Sequence, residues 1–299
     1  MDPRNKPERD EKSKGGAMSE VTFQPADRFS LTELAAVWRA AYEGYYVDLR
    51  FDAVQLGRHV RWTAIDLSLS LVGLVEGAPF GLSLAARDGD EAWIGGFGVG
   101  IPYRRRGLAT RLIVEQAARL DAAGVARTRL ECVDVNPARE VYRRAGLETA
   151  RDLLVFDCEA ADSGEPGVSL DRAAMRAAHA RLHREPASWR RSLARVERVC
   201  DDLPAFFIGI ERNGEVAAYA ALLDTPDRFA LFDAAAEDET AARALFSAIA
   251  AVRSGVRYRV VDEPASSPLA RVLIEAGAPQ PLRQVEMARL SPTVAQSPG

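Results

Sequence analysis

Apolar positions recur along the chain at two periods, one helical and one extended, and their alternation predicts an α/β protein. Residues 31–43 place Leu31, Leu34, Val37, Trp38 and Tyr42 on one helical face, with Ser30 positioned to cap the start. A looser helical pattern covers 52–62. Three strand-like runs follow, at 68–76, 80–87 and 92–99, with turns at Gly77-Ala78-Pro79 and Asp88-Gly89-Asp90. A helix is expected over 108–123, apolar at Leu108, Leu112, Ile113, Ala117 and Leu120 and stopped by Gly124. A strand over 129–135, a short helix over 137–145 ended by Gly146, and a strand over 153–158 complete this half.

After a small, polar stretch with Gly and Pro, the order repeats. Helices are predicted over 171–182 and 186–200, then strands over 205–211 and 215–222 across an Asn213-Gly214 turn, and over 229–234. A helix over 237–252, a strand over 257–262, a helix over 268–276 and a strand over 285–290 follow. The segment Val141-Tyr142-Arg143-Arg144-Ala145-Gly146 matches Val272-Leu273-Ile274-Glu275-Ala276-Gly277 at an offset of 131, which points to a tandem duplication. The chain therefore divides into a leader at 1–17, a first domain at 18–160, a linker at 161–168, a second domain at 169–291 and a tail at 292–299. Two domains suit 299 residues, since a single core rarely grows past about 250–300.

Composition narrows the function classes. At 47% hydrophobic and 27% charged residues the chain is globular, not disordered. A net charge of −4 offers no overall positive field to hold nucleic acid or an anionic membrane. The longest apolar stretch, 67–75, contains Ser68 and Ser70 and is too short to span a bilayer, and no apolar secretory segment opens the chain. Cys132, Cys158 and Cys200 are odd in number and far apart, which fits a reducing cytoplasm. All the lysines, Lys6, Lys12 and Lys14, lie in the leader, which reads as a disordered extension with Met18 as the expected native start.

The chemistry-bearing stretch runs from Val99 to Thr110. A strand ends, Arg104, Arg105, Arg106 and Gly107 form a basic turn, and a helix begins. Free N–H groups at a helix start, with the dipole behind them, bind anions. Gly107 and Ala109 let a phosphate approach the backbone. Each charge-assisted hydrogen bond to a pyrophosphate contributes roughly 1.5–3 kcal/mol. Neither a Rossmann fingerprint nor a P-loop is present, because Gly96, Gly98 and Gly100 precede the turn and no Gly-Lys-Ser/Thr follows. Downstream, Asn136 and Pro137 can start a short helix that carries Tyr142 and ends at Gly146.

Together these two segments resemble the GNAT superfamily of acyl-CoA-dependent N-acetyltransferases. Residues 104–109 match its pyrophosphate loop, in which a Gln or Arg is followed at fixed spacing by Gly and then Gly or Ala. Residues 136–147 resemble its later segment in the Asn, Tyr and Gly positions, with Leu147 where Phe is common. The likeness covers 21–157. It implies an α/β (α+β) fold of two tandem GNAT-like domains, each a mixed, mostly antiparallel sheet flanked by helices. It also implies a fourth strand that splays from the fifth to admit the pantetheine arm. Backbone groups of Phe97, Gly98 and Val99 would then meet that arm, and an N–H there would polarise the thioester carbonyl. The loop residues Arg104, Arg105, Arg106, Gly107, Leu108, Ala109 and Thr110 would hold the pyrophosphate. Asn136 would contact the pantetheine, and Tyr142 would protonate the leaving thiolate.

The implied activity is transfer of an acetyl group from acetyl-CoA to a primary amine by direct attack, with no metal. The acceptor is a small molecule or a protein, and a homodimer is the base-rate expectation. The alternatives are a non-catalytic acyl-CoA-binding protein and transfer of a different acyl group. The general base stays open. Relatives often carry a glutamate where Trp93 stands; Asp90 and Glu91 fall in the turn, Glu131 lies on the next strand, and water or an acid of the second half could serve. In the second half, Glu237, Asp238 and Glu239 stand where phosphates would go and Leu273 matches Tyr142. That half is expected to bind no CoA and to cover the first half, shape its acceptor pocket or form a dimer surface.

Other signals read as structural. His179 and His183 are four apart with no third ligand in sight and suit a solvated helix face, as do the arginines of 176–198, which are interleaved with Glu185 and Glu197. Gly81, Ser83 and Ala85 lie mid-strand and make no nucleophile elbow. Tyr42, Tyr45 and Tyr46 suit either the core or a lid over the acceptor site.

Overall fold

The computed structural model describes residues 20–292. The leader expected at 1–17, and all but the first residue of the tail expected at 292–299, lie outside the described residues. β1 (Val21–Pro25), α1 (Leu31–Ala41) and α2 (Ala53–Thr63) lead into the meander β2 (Leu71–Val75), β3 (Ala78–Asp88) and β4 (Glu91–Val99). α3 (Leu108–Ala122), β5 (Arg127–Val133), α4 (Ala138–Arg143) and β6 (Glu148–Glu159) follow. The second half runs β7 (Val168–Leu170), α5 (Arg172–Leu182), α6 (Leu193–Asp202), β8 (Phe206–Arg212), β9 (Glu215–Thr225) and β10 (Arg228–Ala236). It ends with α7 (Glu239–Val252), β11 (Arg257–Pro264), α8 (Pro268–Glu275) and β12 (Leu282–Leu290).

Local chemistry accounts for the element ends. Ser30 and Glu33 form a reciprocal capping box on α1, and Asp52 and Gln55 form one on α2. Asn136 Oδ1 accepts from Ala138 N–H at 2.9 Å, capping α4, and Gly146 at φ +82° turns the chain out of it. The single helix expected over 186–200 is instead a 3₁₀ turn at Trp189–Arg191 followed by α6, because Ser188 and Ser192 are both extended. β1 and β7 carry too few alternating positions to stand out in the sequence.

The two halves share one sheet. Its order is β1-β2-β3-β4-β5-β12-β6-β11, and a second sheet runs β10-β9-β8-β7. β12 enters between β5 and β6, pairing Val285 with Cys132 and Leu282 with Val155. β6 in turn lies between β12 and β11, pairing Phe156 with Val260. Each half thus lends its last strand to the other about an approximate twofold. The cores follow: Val285 and Met287 pack with Leu130, Cys132, Tyr142 and Leu147, while Leu154, Phe156 and Cys158 belong to the second-half core. Burial of a side chain such as Met287, fully shielded, contributes about 1.5–3 kcal/mol.

Large side chains tie the junction together. Trp189 stacks on Trp93 with centroids 6.0 Å apart and donates its indole N–H to Thr63 O at 2.9 Å. Arg129 and Arg195 lie over the Trp189 ring at 5.4 and 4.7 Å. Buried Glu286 accepts from Arg151 at 2.9 Å.

Two sequence expectations are corrected here. His179 is buried, not on a solvated face, and so are Arg191 and Arg195. His183 Nε2 meets Asp233 Oδ2 at 3.0 Å, and Asp233 is the third potential ligand that the sequence hid. Arg191 Nε donates to the other Asp233 oxygen at 2.8 Å, and Tyr219 Oη donates to Oδ2. Burial opposes the charge of Asp233, but His183 and Arg191 outweigh it and hold this carboxyl well below its usual range. A permanent guanidinium at that distance repels a cation, so the cluster is a buried polar network.

Candidate active site

β4 and β5 pair in parallel only from Glu91–Arg127 to Trp93–Arg129. Beyond Trp93 they diverge. The cause lies in β4: Leu84 pairs with Gly96 and Ala85 with Ile94, so Gly95 is an unpaired bulge that bends the strand. The neutral ring of His59 donates Nε2–H to the Gly95 carbonyl at 3.0 Å, and burial pulls its pKa down to about 4. α1 lies directly on the bent strand. A Cβ on Gly96 would sit 2.2 Å from the Trp38 ring, so only glycine permits this approach.

The gap opens into a cavity of about 600 Å³. It brings together Phe97, Gly98, Val99, Ala109, Asn136 and Tyr142. Arg104 also borders it, but its side chain is turned back, donating to Val99 O at 2.9 Å and to Ala41 O and Glu43 O at 3.0 Å. Arg105, Arg106 and Gly107 are exposed on the surface just outside, and the Leu108 side chain is in the core. Arg105 at φ +60° and Gly107 at φ +78° curl the turn so that α3 starts with no side-chain cap. The first N–H to reach an intrahelical partner is that of Arg111, on Gly107 O at 3.2 Å. The first-turn N–H groups are thus open to solvent, and a Cβ at Gly107 would meet nothing within 4 Å. This end can accept a phosphate.

Tyr142 is buried under the cavity floor, edge-on to Phe97 with centroids 5.4 Å apart. Its hydroxyl makes no hydrogen bond among the described residues, and burial pushes its pKa well above the ordinary value, so it stays protonated. The tyrosines of the α1–α2 connection border the opposite wall. Tyr42 Oη accepts from Phe97 N–H at 3.1 Å, and Tyr46 Oη donates across the mouth to Val135 O at 3.3 Å.

Glu131 lines the other end. Trp93 Nε1–H donates to its Oε2 at 2.6 Å, while Oε1 is buried without a partner. Burial, then the charge of Asp262, raises its pKa; Arg190 and the Trp93 hydrogen bond pull back, and the balance stands at about 7. A carboxyl titrating there can take a proton at neutral pH. Glu91, by contrast, is engaged by Arg127 and Arg129, both at 3.4 Å. The second half completes the wall with Arg190, Arg259, Val261, Leu282 and Gln284. Sequence reasoning missed these residues, because nothing in the spacing of β11 or β12 says that they fold against β5.

The matching region of the second half differs: a smaller cavity of about 340 Å³ lies between Leu231 and Ala234 on β10 and Val260 on β11. Asp238 caps α7 by accepting from Ala241 N–H at 2.8 Å, and it pairs with Arg212. β10 and β11 lie in different sheets, and the Arg191 guanidinium bridges them at the wall of this cavity, reaching Ala234 O and Asp233 on one side and Asp262 O and Glu263 on the other.

Residues 30–147 match the family model described as Acetyltransferase (GNAT) family. No curated protein sequence matches the chain significantly. Among solved structures, a tandem GNAT protein from the clavulanic acid biosynthesis pathway is 14% identical, with 94% of this chain and 100% of that chain covered and a TM-score of 0.64. A GCN5-related N-acetyltransferase from Anabaena variabilis is 16% identical over 92% of this chain and 74% of its own, TM-score 0.62. A putative acetyltransferase from Pyrococcus horikoshii is 15% identical over 92% and 90%, TM-score 0.63. At these identities the likeness shows the fold: two GNAT-like modules in tandem.

Proposed function

We propose that this chain, whose residues 30–147 match the GNAT acetyltransferase family model, moves an acetyl group from acetyl-CoA to a primary amine by direct attack. The observation that carries the reading is the splay of β4 from β5 past Trp93, which puts phosphate-accepting N–H groups, a buried neutral phenol and a carboxyl titrating near 7 around one gap.

In this reading the pyrophosphate rests on the N–H groups of residues 105–110, with Arg105 and Arg106 adding charge from the surface. Asn136 and the β4 edge from Phe97 to Val99 border the pantetheine. Arg104 acts at one remove, tying the end of β4 to α1. The thioester carbonyl competes with Tyr42 Oη for the Phe97 N–H, which then stabilises the tetrahedral oxyanion. Glu131 takes the proton that an ammonium must lose before its nitrogen attacks. When the C–S bond breaks, Tyr142 gives its phenolic proton to the thiolate. The second half binds no CoA in this reading: Asp238 puts a carboxylate at the start of α7, Arg191 bridges its two splayed strands, and its service is to wall the acceptor end.

Thiol release from acetyl-CoA with a pooled panel of primary amines tests the proposal. Wild-type protein is expected to release free thiol with some acceptors, and Glu131→Gln to lose most of that turnover. Saturable acetyl-CoA binding without thiol release across the panel would leave a binding protein in place of an enzyme.

A further inference from the structure

The cavity end contributed by the second half has a feature that proton transfer does not need. Arg190 sits in the short 3₁₀ turn between two buried anchors, Trp189 and Arg191, and alone of the three lines this cavity, standing between it and the smaller one beside β10. Asp262 holds it from behind: Arg190 Nε donates to Oδ2 at 2.9 Å and Nη2 to Oδ1 at 2.8 Å. Gln284 Nε2 fixes Asp262 in turn at 2.8 Å. Asp262 is buried at φ +56°, a backbone conformation that costs energy and is kept only where the surroundings impose it. The Arg190 side chain nevertheless remains 42% accessible, and its Nη1 makes no hydrogen bond among the described residues.

A guanidinium clamped on one edge and open on the other is pre-organised, so a ligand that meets it loses little side-chain entropy. The other arginines at the cavity differ. Arg104 is spent on backbone carbonyls, and Arg259 pairs with exposed Asp157 at 2.7 Å. Arg190 and Glu131 are close enough to feel each other's charge, and the walls beside them are the aromatic rings of Trp38, Phe51 and Trp93.

We propose that the amine acceptor also carries a carboxylate, which the open edge of Arg190 binds while the amine faces Glu131. This rests on the transfer reading above and narrows its acceptor to amino-acid-like molecules with an apolar body. Arg190 is then the residue that selects the acceptor. It forms charge-assisted hydrogen bonds to one end of the molecule and leaves the acetyl chemistry to the other.

The test compares acceptors in pairs: phenylalanine with 2-phenylethylamine, and leucine with 3-methylbutylamine. Thiol release is expected to favour the carboxylate member in kcat/KM by about tenfold to a hundredfold, the range of a lost charged hydrogen bond. Arg190→Gln should erase that preference, read as the kcat/KM ratio within each pair, because its effect on Glu131 acts on both members alike and cancels from the ratio. Because Arg190→Gln leaves Asp262 buried without its cation, the double variant Arg190→Gln/Asp262→Asn is measured beside it. A purely positioning role for Arg190 would instead depress both members of each pair alike. Equal or better use of the decarboxylated amines by wild-type protein, or a preference that survives both variants, overturns the proposal. Tryptophan fluorescence titration with N-acetylphenylalanine and its amide gives a second readout. Should no acceptor release thiol, carboxylate-dependent quenching lost in the variants keeps the Arg190 site and removes the transfer reading. No carboxylate-dependent quenching removes both.

Discussion

Trp93 on β4 donates its indole N–H to Glu131 Oε2 on β5 at 2.6 Å, just past the level where the two strands stop pairing. At the strand-four place where an acid is common in the resembling family, this chain puts a ring that holds an acid of strand five. The indole also stacks on Trp189, so the same side chain ties the acid to the second half.

That pair sets a pH dependence. Glu131 works as a base only when ionised, and its pKa is raised to about 7, so kcat should fall as pH drops below about 7. Glu131→Gln should remove this acid limb and lower kcat by about 10²–10³-fold with little change in acetyl-CoA affinity. Trp93→Phe removes a hydrogen bond that favours the ionised form, so the limb should move to higher pH. A pH–rate profile of the three proteins decides; an unmoved limb in both variants would assign it to another group.

The pyrophosphate turn is tested by calorimetric titration with CoA. Arg105→Glu and Gly107→Glu should each weaken binding at least about tenfold, by repulsion of a diphosphate. Gly107→Ala meets no atom but must hold φ +78°, so it should cost about 1–2 kcal/mol of stability. If neither charge reversal shifts the dissociation constant, the phosphate sits elsewhere.

Tyr142→Phe separates chemistry from packing. The ring and its edge-on contact with Phe97 remain, while the phenolic proton goes. Turnover should fall by about 10²-fold, because an alkyl thiolate leaves moderately well without help. CoA affinity should stay within a few-fold. Equal turnover would reduce the residue to a packing role.

Strand exchange predicts that the first half does not stand alone. Residues 18–160 expressed without the rest would lack β12 and expose the Leu130, Cys132 and Leu147 surface that Val285 and Met287 cover. Circular dichroism and amide dispersion of that fragment should show loss of fixed packing. A cooperative unfolding transition in the fragment would contradict the exchange.

In the second half, Arg191→Met should destabilise the protein by about 3–5 kcal/mol, read by denaturant unfolding. It leaves Asp233 and Glu263 buried without their cation. Surface pairs such as Arg243 with Glu275 should give less than about 1 kcal/mol on the same assay.

Much of the fold was legible because it is local. The period of Leu34 and Trp38, the box of Ser30 with Glu33, and Gly124 and Gly146 at helix ends each act within a few residues, and the elements they predict are present. The turn at 104–107 and the cap at Asn136 were legible for the same reason. His179, His183, Arg191 and Arg195 misled because an alternation of charge along the chain looks alike whether it faces water, a buried acid from a distant strand, as His183 and Arg191 do, or an indole ring, as Arg195 does.

From the residues alone came two αβ halves, a strand-to-helix turn with free donors, and a phenol on a capped short helix, all products of short-range sterics and hydrogen bonding. Tertiary structure alone decided that β12 completes the first half, that Glu131 is desolvated beside Trp93 and Asp262, and that Arg190 opens onto the same cavity. The physical reason is distance along the chain: burial and electrostatic fields are set by whichever segments fold together, and β5, the Trp189–Arg191 turn and β12 meet only when the shared sheet closes.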